Sequence, residues 1–355
     1  MRLALLAALA MTAAAPAAEP RPLVIAHRGA SGLLPEHTLE AYALAIEQGA
    51  DYVELDLVAT KDGHLIARHE PNLSASTDVA SHKEFAGRRR KTVVDGAEEE
   101  GWFACDFTLE EIKRLRAVQA MPDRPREHDG RHPIPTLEEV IALVQEKSRE
   151  QGRVIGIYPE TKHPTWHRRQ RLALESRLAN ALAQAGWNRR DAPVWVQSFE
   201  PSSLQEMAKL SPVRRVQLVA VEGFKSDGTP DFGQPYDWSV SLDPRLRWRS
   251  AGALLGDEGL REVKTWADAL GPSKRLIVDA AGAARPDDLI RRAHRAGLEV
   301  HAWTFRDEPR WLAPAYRGDP QQEYLQFYLL GVDGVFSDFP ASAVASRSLF
   351  RAGGR

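Results

Sequence analysis

The sequence predicts an α/β fold, a TIM (β/α)8 barrel with an insertion after its third strand, and three observations carry that prediction. Strand-like runs alternate with helical patterns through 355 residues. Several of these runs are continuously apolar, as parallel strands covered on both faces are. Polar residues gather at the C-terminal ends of several different runs, where a barrel builds its working face. A doubly wound open sheet is the alternative, and the placement of the polar residues decides for the barrel.

Taken in order, the chain opens with Arg2, an apolar run from Leu3 to Ala10 and then small residues through Ala15-Pro16-Ala17. This is the pattern of a secretory signal peptide over residues 1–18, cut within 17–20. The apolar core is too short for a permanent anchor, no cysteine sits near the cut to take a lipid, and no later run is long enough to span a membrane. The expected product is periplasmic or secreted, a single barrel domain over residues 21–345.

Strands are expected at Leu23–His27, Tyr52–Val58, Leu65–His69, Val154–Glu160, Val194–Phe199, Val216–Ala220, Leu298–Phe305 and Gly334–Phe339, with Arg275–Ala280 as a ninth outside the main sheet. The first helix places Leu39, Ala43 and Ile46 on one stripe and stops at Gly49. Two helices begin with a capping box, Thr108 with Glu111 and Thr136 with Glu139. Residues 71–135 are too long for a simple loop and are expected to pack beside or over the barrel mouth.

Composition bounds the rest. Hydrophobic residues are 43% and the formal net charge is -2, so bulk charge offers nothing to nucleic acid. The basic run Gly87–Lys91 is expected to be a solvated loop. Cys105 is the only cysteine, which excludes an intramolecular disulfide and leaves it a buried structural role.

The residues suited to chemistry stand at strand ends. Glu54 and Asp56, two apart in a strand, point to one face. Buried together they need a cation, and oxygen donors suit a hard divalent ion. Glu160 ends another strand and completes a three-carboxylate set, and Lys162 follows as a charge for phosphate. His27 and His69 end two further runs. Two histidines near a metal suit phosphoryl transfer, one as base and one as acid. Arg28 offers a fork of donors to phosphate oxygens. Trp303, Phe305 and Phe336 stand where they can wall a pocket, with Gln197 and Ser198 as polar contacts.

"HRGASGLLPEHT", "ELDL", "ARHEPNLS" and "ETK", followed in order by "VQSF", "HAWTFRDE" and "GVDGVFSDFP", resemble the glycerophosphodiester phosphodiesterase family, and "STDVA" and "DFTLEEIKRL" resemble its periplasmic branch. The resemblance runs from about Leu23 to Pro340. It implies a TIM barrel that releases glycerol 3-phosphate and an alcohol from glycerophosphodiesters. It further implies His27 and His69 as the acid–base pair, and Glu54, Asp56 and Glu160 as ligands of one divalent cation, Ca2+ foremost, with Mg2+ or Mn2+ as alternatives. Arg28 and Lys162 would meet the phosphate, with Glu36 beside the site. Two positions depart from the family pattern: His37 replaces an asparagine, and Glu70 replaces an aspartate after His69. Two other functions fit similar residues, a secreted phospholipase D-like enzyme acting on choline lipids and a noncatalytic periplasmic protein that binds glycerophosphodiesters. Oligomeric state leaves no trace in the sequence.

Overall fold

A computed structural model describes residues 21–353. The segment read as a signal peptide lies outside them. The chain begins with β1 (Leu23–Ala26) and β2 (Tyr52–Ala59), then turns back in β3 (Leu65–Ala67). It leaves the sheet for an insertion that carries the hairpin of β4 (Arg90–Val94) and β5 (Ala97–Gly101). It returns in β6 (Gly156–Thr161), β7 (Trp195–Ser198) and β8 (Arg214–Val219). A small ribbon of β9 (Gly223–Phe224) and β10 (Pro230–Asp231) precedes β11 (Ala269–Pro272), β12 (Glu299–Phe305) and β13 (Gly334–Ser337). Strands β1, β2, β6, β7, β8, β11, β12 and β13 pair in parallel in that order, and β13 returns to β1, closing the predicted eight-stranded barrel.

Two strand expectations change. Leu65–His69 is not a barrel strand, because β3 runs antiparallel to β2 with Leu57 opposite Ala67. Its place among the eight belongs to β11, whose Ala-Leu-Gly-Pro sequence lacks the β-branched residues that announce a strand. Pairing to β8 on one side and β12 on the other makes it a strand regardless. Arg275–Ala280 is not a strand either: Lys274–Leu276 form a short 3-10 turn. The insertion does follow the third strand of the chain, but it lies between the second and third strands of the barrel.

The first helix, Leu39–Glu47, is capped by the Thr38 hydroxyl, which accepts from the Ala41 amide at 3.1 Å. Its buried face is Ala41, Tyr42, Ala45 and Ile46, so of the predicted stripe Ile46 is fully buried while Leu39 and Ala43 lie at the margin. Tyr42 turns inward, where its hydroxyl meets His37, and this rotates the face. Both capping boxes form, each contributing about 1 kcal/mol to its helix. Inside the barrel, Ile25, Tyr158, Trp195, Val216, Ala269 and Phe336 pack together. The insertion has its own core of Leu73, Phe85, Phe107, Ile112 and Ile134, seated on Val58 and Ile66 of β2 and β3.

Arg68 ties the insertion to the loop after β1. It is wholly buried, and its guanidinium donates to the carbonyls of Ala67, Ser76, Glu36 and His37 at 2.5–2.9 Å. The run Gly87–Lys91 is not a free loop: Arg88 pairs with Glu111 and Arg90 with Asp106. Cys105 is half-buried beside Arg90, and burial with Asp106 nearby pushes its thiol up to about 11, which leaves it inert as a nucleophile. At the far end of the chain, Arg347 donates to the Pro22 carbonyl at 3.0 Å and pairs with Asp51, fastening the last helix to the first strand. No helix among the described residues is long and apolar enough to cross a membrane.

Candidate active site

Strand register builds the site. Asp56 of β2 stands opposite Glu160 of β6, and Glu160 stands opposite Gln197 of β7, so three neighbouring strands put polar side chains at one height. Glu54 is two residues before Asp56 and faces the same way. Oxygens of Glu54, Asp56 and Glu160 all lie within 4.8 Å of one another, and all three residues are buried. The Glu54 carboxylate accepts from the Arg28 amide at 2.7 Å and from the Gln197 side chain at 3.0 Å.

Burial and the Asp56 charge push Glu54 well above the ordinary carboxylate range. Burial raises Glu160 to about 8 even with Lys162 at 3.1 Å. Burial works against ionisation of Asp56 too, yet Lys162, His69 and His37 hold it well below its usual value. Three clustered carboxylates of which two resist ionisation fit a bound divalent cation, because oxygen-only donors at this spacing suit a hard ion and its charge would relieve the repulsion.

Arg28 and Lys162 border the cradle. Arg28 adopts a left-handed backbone, φ 59°, at the turn after β1. Its guanidinium meets Glu36 at 2.7 Å and lies 3.4 Å from Asp56. Four carboxylates, with Glu36, thus gather against Arg28, Lys162 and the buried Arg68, an imbalance that a metal would correct.

Each histidine is held by a carboxylate. Ser337 closes the β1–β13 pairing opposite Ala26, so the next residue on each strand, His27 and Asp338, meet. The distance from His27 Nδ1 to Asp338 Oδ1 is 2.6 Å. That leaves Nε2 as the free ring nitrogen. Burial and Arg28 lower His27 to about 4. His69 follows β3 and faces Glu70 at 2.5 Å through Nδ1. Lys162, a donor only, reaches His69 Nε2 at 3.1 Å, so Nε2 accepts and the ring proton sits on Nδ1. Burial, Arg28 and Lys162 keep His69 neutral by lowering its pKa.

His27, Arg28, Glu54, Asp56, His69, Glu160, Lys162, Gln197, Trp303 and Phe336 line one cavity of about 110 Å3. Glu36 stands just behind Arg28. The eleven candidate residues are therefore together. Trp303 is pinned by donating to the Gly271 carbonyl at 2.7 Å, and Phe336 serves both the wall and the barrel core. Phe305 does not join them: it points outward and packs on Tyr324 and Phe327. Ser198 lines a larger adjoining cavity of about 540 Å3, which opens past Phe199, Glu200 and Tyr236.

The two departures from the family pattern have plain geometry. His37 is buried and bridges the Tyr42 hydroxyl at 2.7 Å to Asp56 at 2.9 Å. Glu70, one methylene longer than aspartate, reaches His69 with one oxygen and His163 with the other. Sequence reasoning missed Asp338, Arg124, Arg306, His163 and Asp95. Arg124 and Arg306 both donate to Asp338 Oδ2, at 2.5 and 2.8 Å. Asp338 lay in plain view in "GVFSDFP", one residue past a strand end, which was the only available signal.

The polar mouth lies at the C-terminal ends of the strands of a closed (β/α)8 barrel, where barrel enzymes carry their active sites, and its family and relatives place this chain among such enzymes. It belongs to the glycerophosphoryl diester phosphodiesterase family, whose model matches residues 27–342. A glycerophosphodiester phosphodiesterase of Arabidopsis thaliana is 34% identical over 338 residues, covering 91% of this chain and 85% of that protein. One from Haemophilus influenzae is 32% identical over 350 residues, covering 91% and 88%. Among solved structures, a phosphodiesterase of Oleispira antarctica in complex with its product sn-glycerol-3-phosphate shares the fold at TM-score 0.60 and 22% identity, over 92% of this chain and 97% of that one. A putative family member from Silicibacter pomeroyi superposes at TM-score 0.64 with 18% identity, covering 94% and 95%.

Proposed function

We propose that this chain hydrolyses glycerophosphodiesters to glycerol 3-phosphate and an alcohol, using His27 and His69 as the acid–base pair and one divalent cation held by Glu54, Asp56 and Glu160. The observation that carries the reading is the shared cavity, which gathers two carboxylate-held histidines, two cations and three clustered carboxylates. When bound, the cation, Ca2+ foremost with Mg2+ or Mn2+ as alternatives, supplies Lewis acidity toward a phosphoryl oxygen. Arg28 and Lys162 neutralise charge on the nonbridging oxygens. One histidine takes the proton of the attacking hydroxyl through Nε2. The other is protonated when the anionic phosphodiester beside it raises its pKa, and it gives that proton to the leaving alkoxide. The attacking group is the 2-hydroxyl of the glycerol, forming a cyclic phosphate that water then opens to glycerol 3-phosphate, or it is water directly. The small cavity suits the glycerophosphoryl half of the substrate, and the larger one beside it suits the alcohol. The N-terminal signal pattern supports a periplasmic or secreted enzyme.

The test is glycerol 3-phosphate release from glycerophosphocholine by the purified chain, after chelation and after Ca2+ or Mg2+ is restored. Metal-dependent release is expected. Silence with every metal and with several head groups refutes the reading.

A further inference from the structure

We propose that Asp95 and Arg124, two residues of the insertion, are positioning residues for His69 and His27, so that the insertion is part of the catalytic apparatus rather than a cover over it. The proposal rests on the acid–base roles assigned above.

The first arm is a chain of alternating acids and imidazoles. Glu70 holds His69 Nδ1 at 2.5 Å with one oxygen and faces His163 Nε2 at 3.4 Å with the other. His163 Nδ1 in turn meets Asp95 Oδ2 at 2.6 Å. A histidine with a carboxylate at each nitrogen is an imidazolium, and it fixes Glu70 from the side away from His69. His163 accepts a left-handed backbone, φ 46° and ψ 49°, to stand there. A residue other than glycine is uncommon in that region and persists only where its surroundings hold it.

Asp95 belongs to the turn of the β4–β5 hairpin. Asp95 and Gly96 both have positive φ, 46° and 89°, as a type I′ turn requires. Asparagine or glycine would serve such a turn equally well, so the turn does not require the charge. The Oδ1 oxygen of Asp95 is buried with no partner, a penalty that stability alone does not explain. What the carboxylate does gain is His163.

The second arm is shorter. Arg124 is buried, donates to Asp338 Oδ2 at 2.5 Å, and is itself held by Glu308 at 2.7 Å and the Ser31 carbonyl at 3.2 Å. Asp338 gives its other oxygen to His27. The two arms enter the mouth from different parts of the insertion, and each ends on a different histidine.

The experiment measures kcat and KM for glycerol 3-phosphate release by the full metal-loaded chain. Asp95→Gly and Asp95→Asn both suit the turn. Asp95→Gly is expected to lower kcat about ten-fold with KM within about two-fold, and Asp95→Asn, which still accepts from His163, to recover most of that loss. Arg124→Ala is expected to fall about ten-fold and to be partly restored by millimolar guanidinium. A kcat within about two-fold of the parent for Asp95→Gly, in an enzyme that His69→Ala silences, would overturn this proposal alone. So would a loss confined to KM, or an Asp95→Asn variant as impaired as Asp95→Gly. Turnover surviving in His69→Ala would overturn the acid–base assignment, and this proposal with it.

Discussion

Replacing His163 by asparagine removes a charge that the fold stabilises, and it should flatten part of the dependence of stability on pH. Asparagine tolerates the left-handed backbone of this position, so the change addresses the ring and not the chain path. Burial opposes the charge on His163, but Asp95 and Glu70 outweigh it and raise the pKa from 6.5 to about 9. A shift of roughly 2.5 units corresponds to about 3 kcal/mol as a ceiling. The side chain is 22% exposed and Glu70 is 41% exposed, so solvent screening brings the expected contribution to about 1–2 kcal/mol. The folded pKa lies above the unfolded one. The contribution is therefore complete below pH 6.5 and is lost as pH rises toward 9. Urea unfolding of parent and His163→Asn at pH 6 and pH 9.5 reads it directly. The gap between the two proteins should be about 1–2 kcal/mol wider at the lower pH. An equal gap at both values, or one that grows with pH, would refute the charge assignment.

Three further outcomes follow from the geometry. His27→Ala and His69→Ala should each lower kcat by about 10²–10⁴ while circular dichroism stays unchanged; unfolding in place of lost turnover would remove them from the acid–base roles. Arg68→Met removes the guanidinium from four buried carbonyls, of which that of Ser76 keeps the Val118 amide, and should cost about 3–5 kcal/mol in urea melts, more than an ordinary core change of similar size. Gly156→Ala places a Cβ 2.1 Å from the Tyr52 ring and 2.5 Å from the Pro193 carbonyl, so it should destabilise the barrel by about 1–3 kcal/mol and lower the melting temperature without changing KM.

Local chemistry made the inner half of the site legible. Glu54 and Asp56 advertise themselves by a spacing of two in an apolar strand, and His27 and Arg28 by their place at a strand end. The parts that stayed hidden depend on distance along the chain. His163 follows a lysine in a stretch that reads as a loop, and nothing nearby reveals that Asp95 waits in a hairpin 68 residues earlier. Arg124 meets Asp338 across 214 residues. Strand β11 was hidden for a different reason: its residues carry no strand preference, and only pairing on both sides makes it one. Leu65–Ala67 misled in the opposite sense, since apolar content marks a strand without giving its direction.

The meeting of β13 with β1 has a consequence for how the molecule comes into being. His27 leaves the ribosome early, but its carboxylate partner lies 311 residues further on. Contacts so distant form late, because the chain between them must be gathered first. A nascent or C-terminally clipped chain can hold Glu54, Asp56 and Glu160 and still lack an oriented His27. Ring closure and orientation of His27 are thus one event, and a copy of this chain that stops before Asp338 lacks the carboxylate that holds the ring.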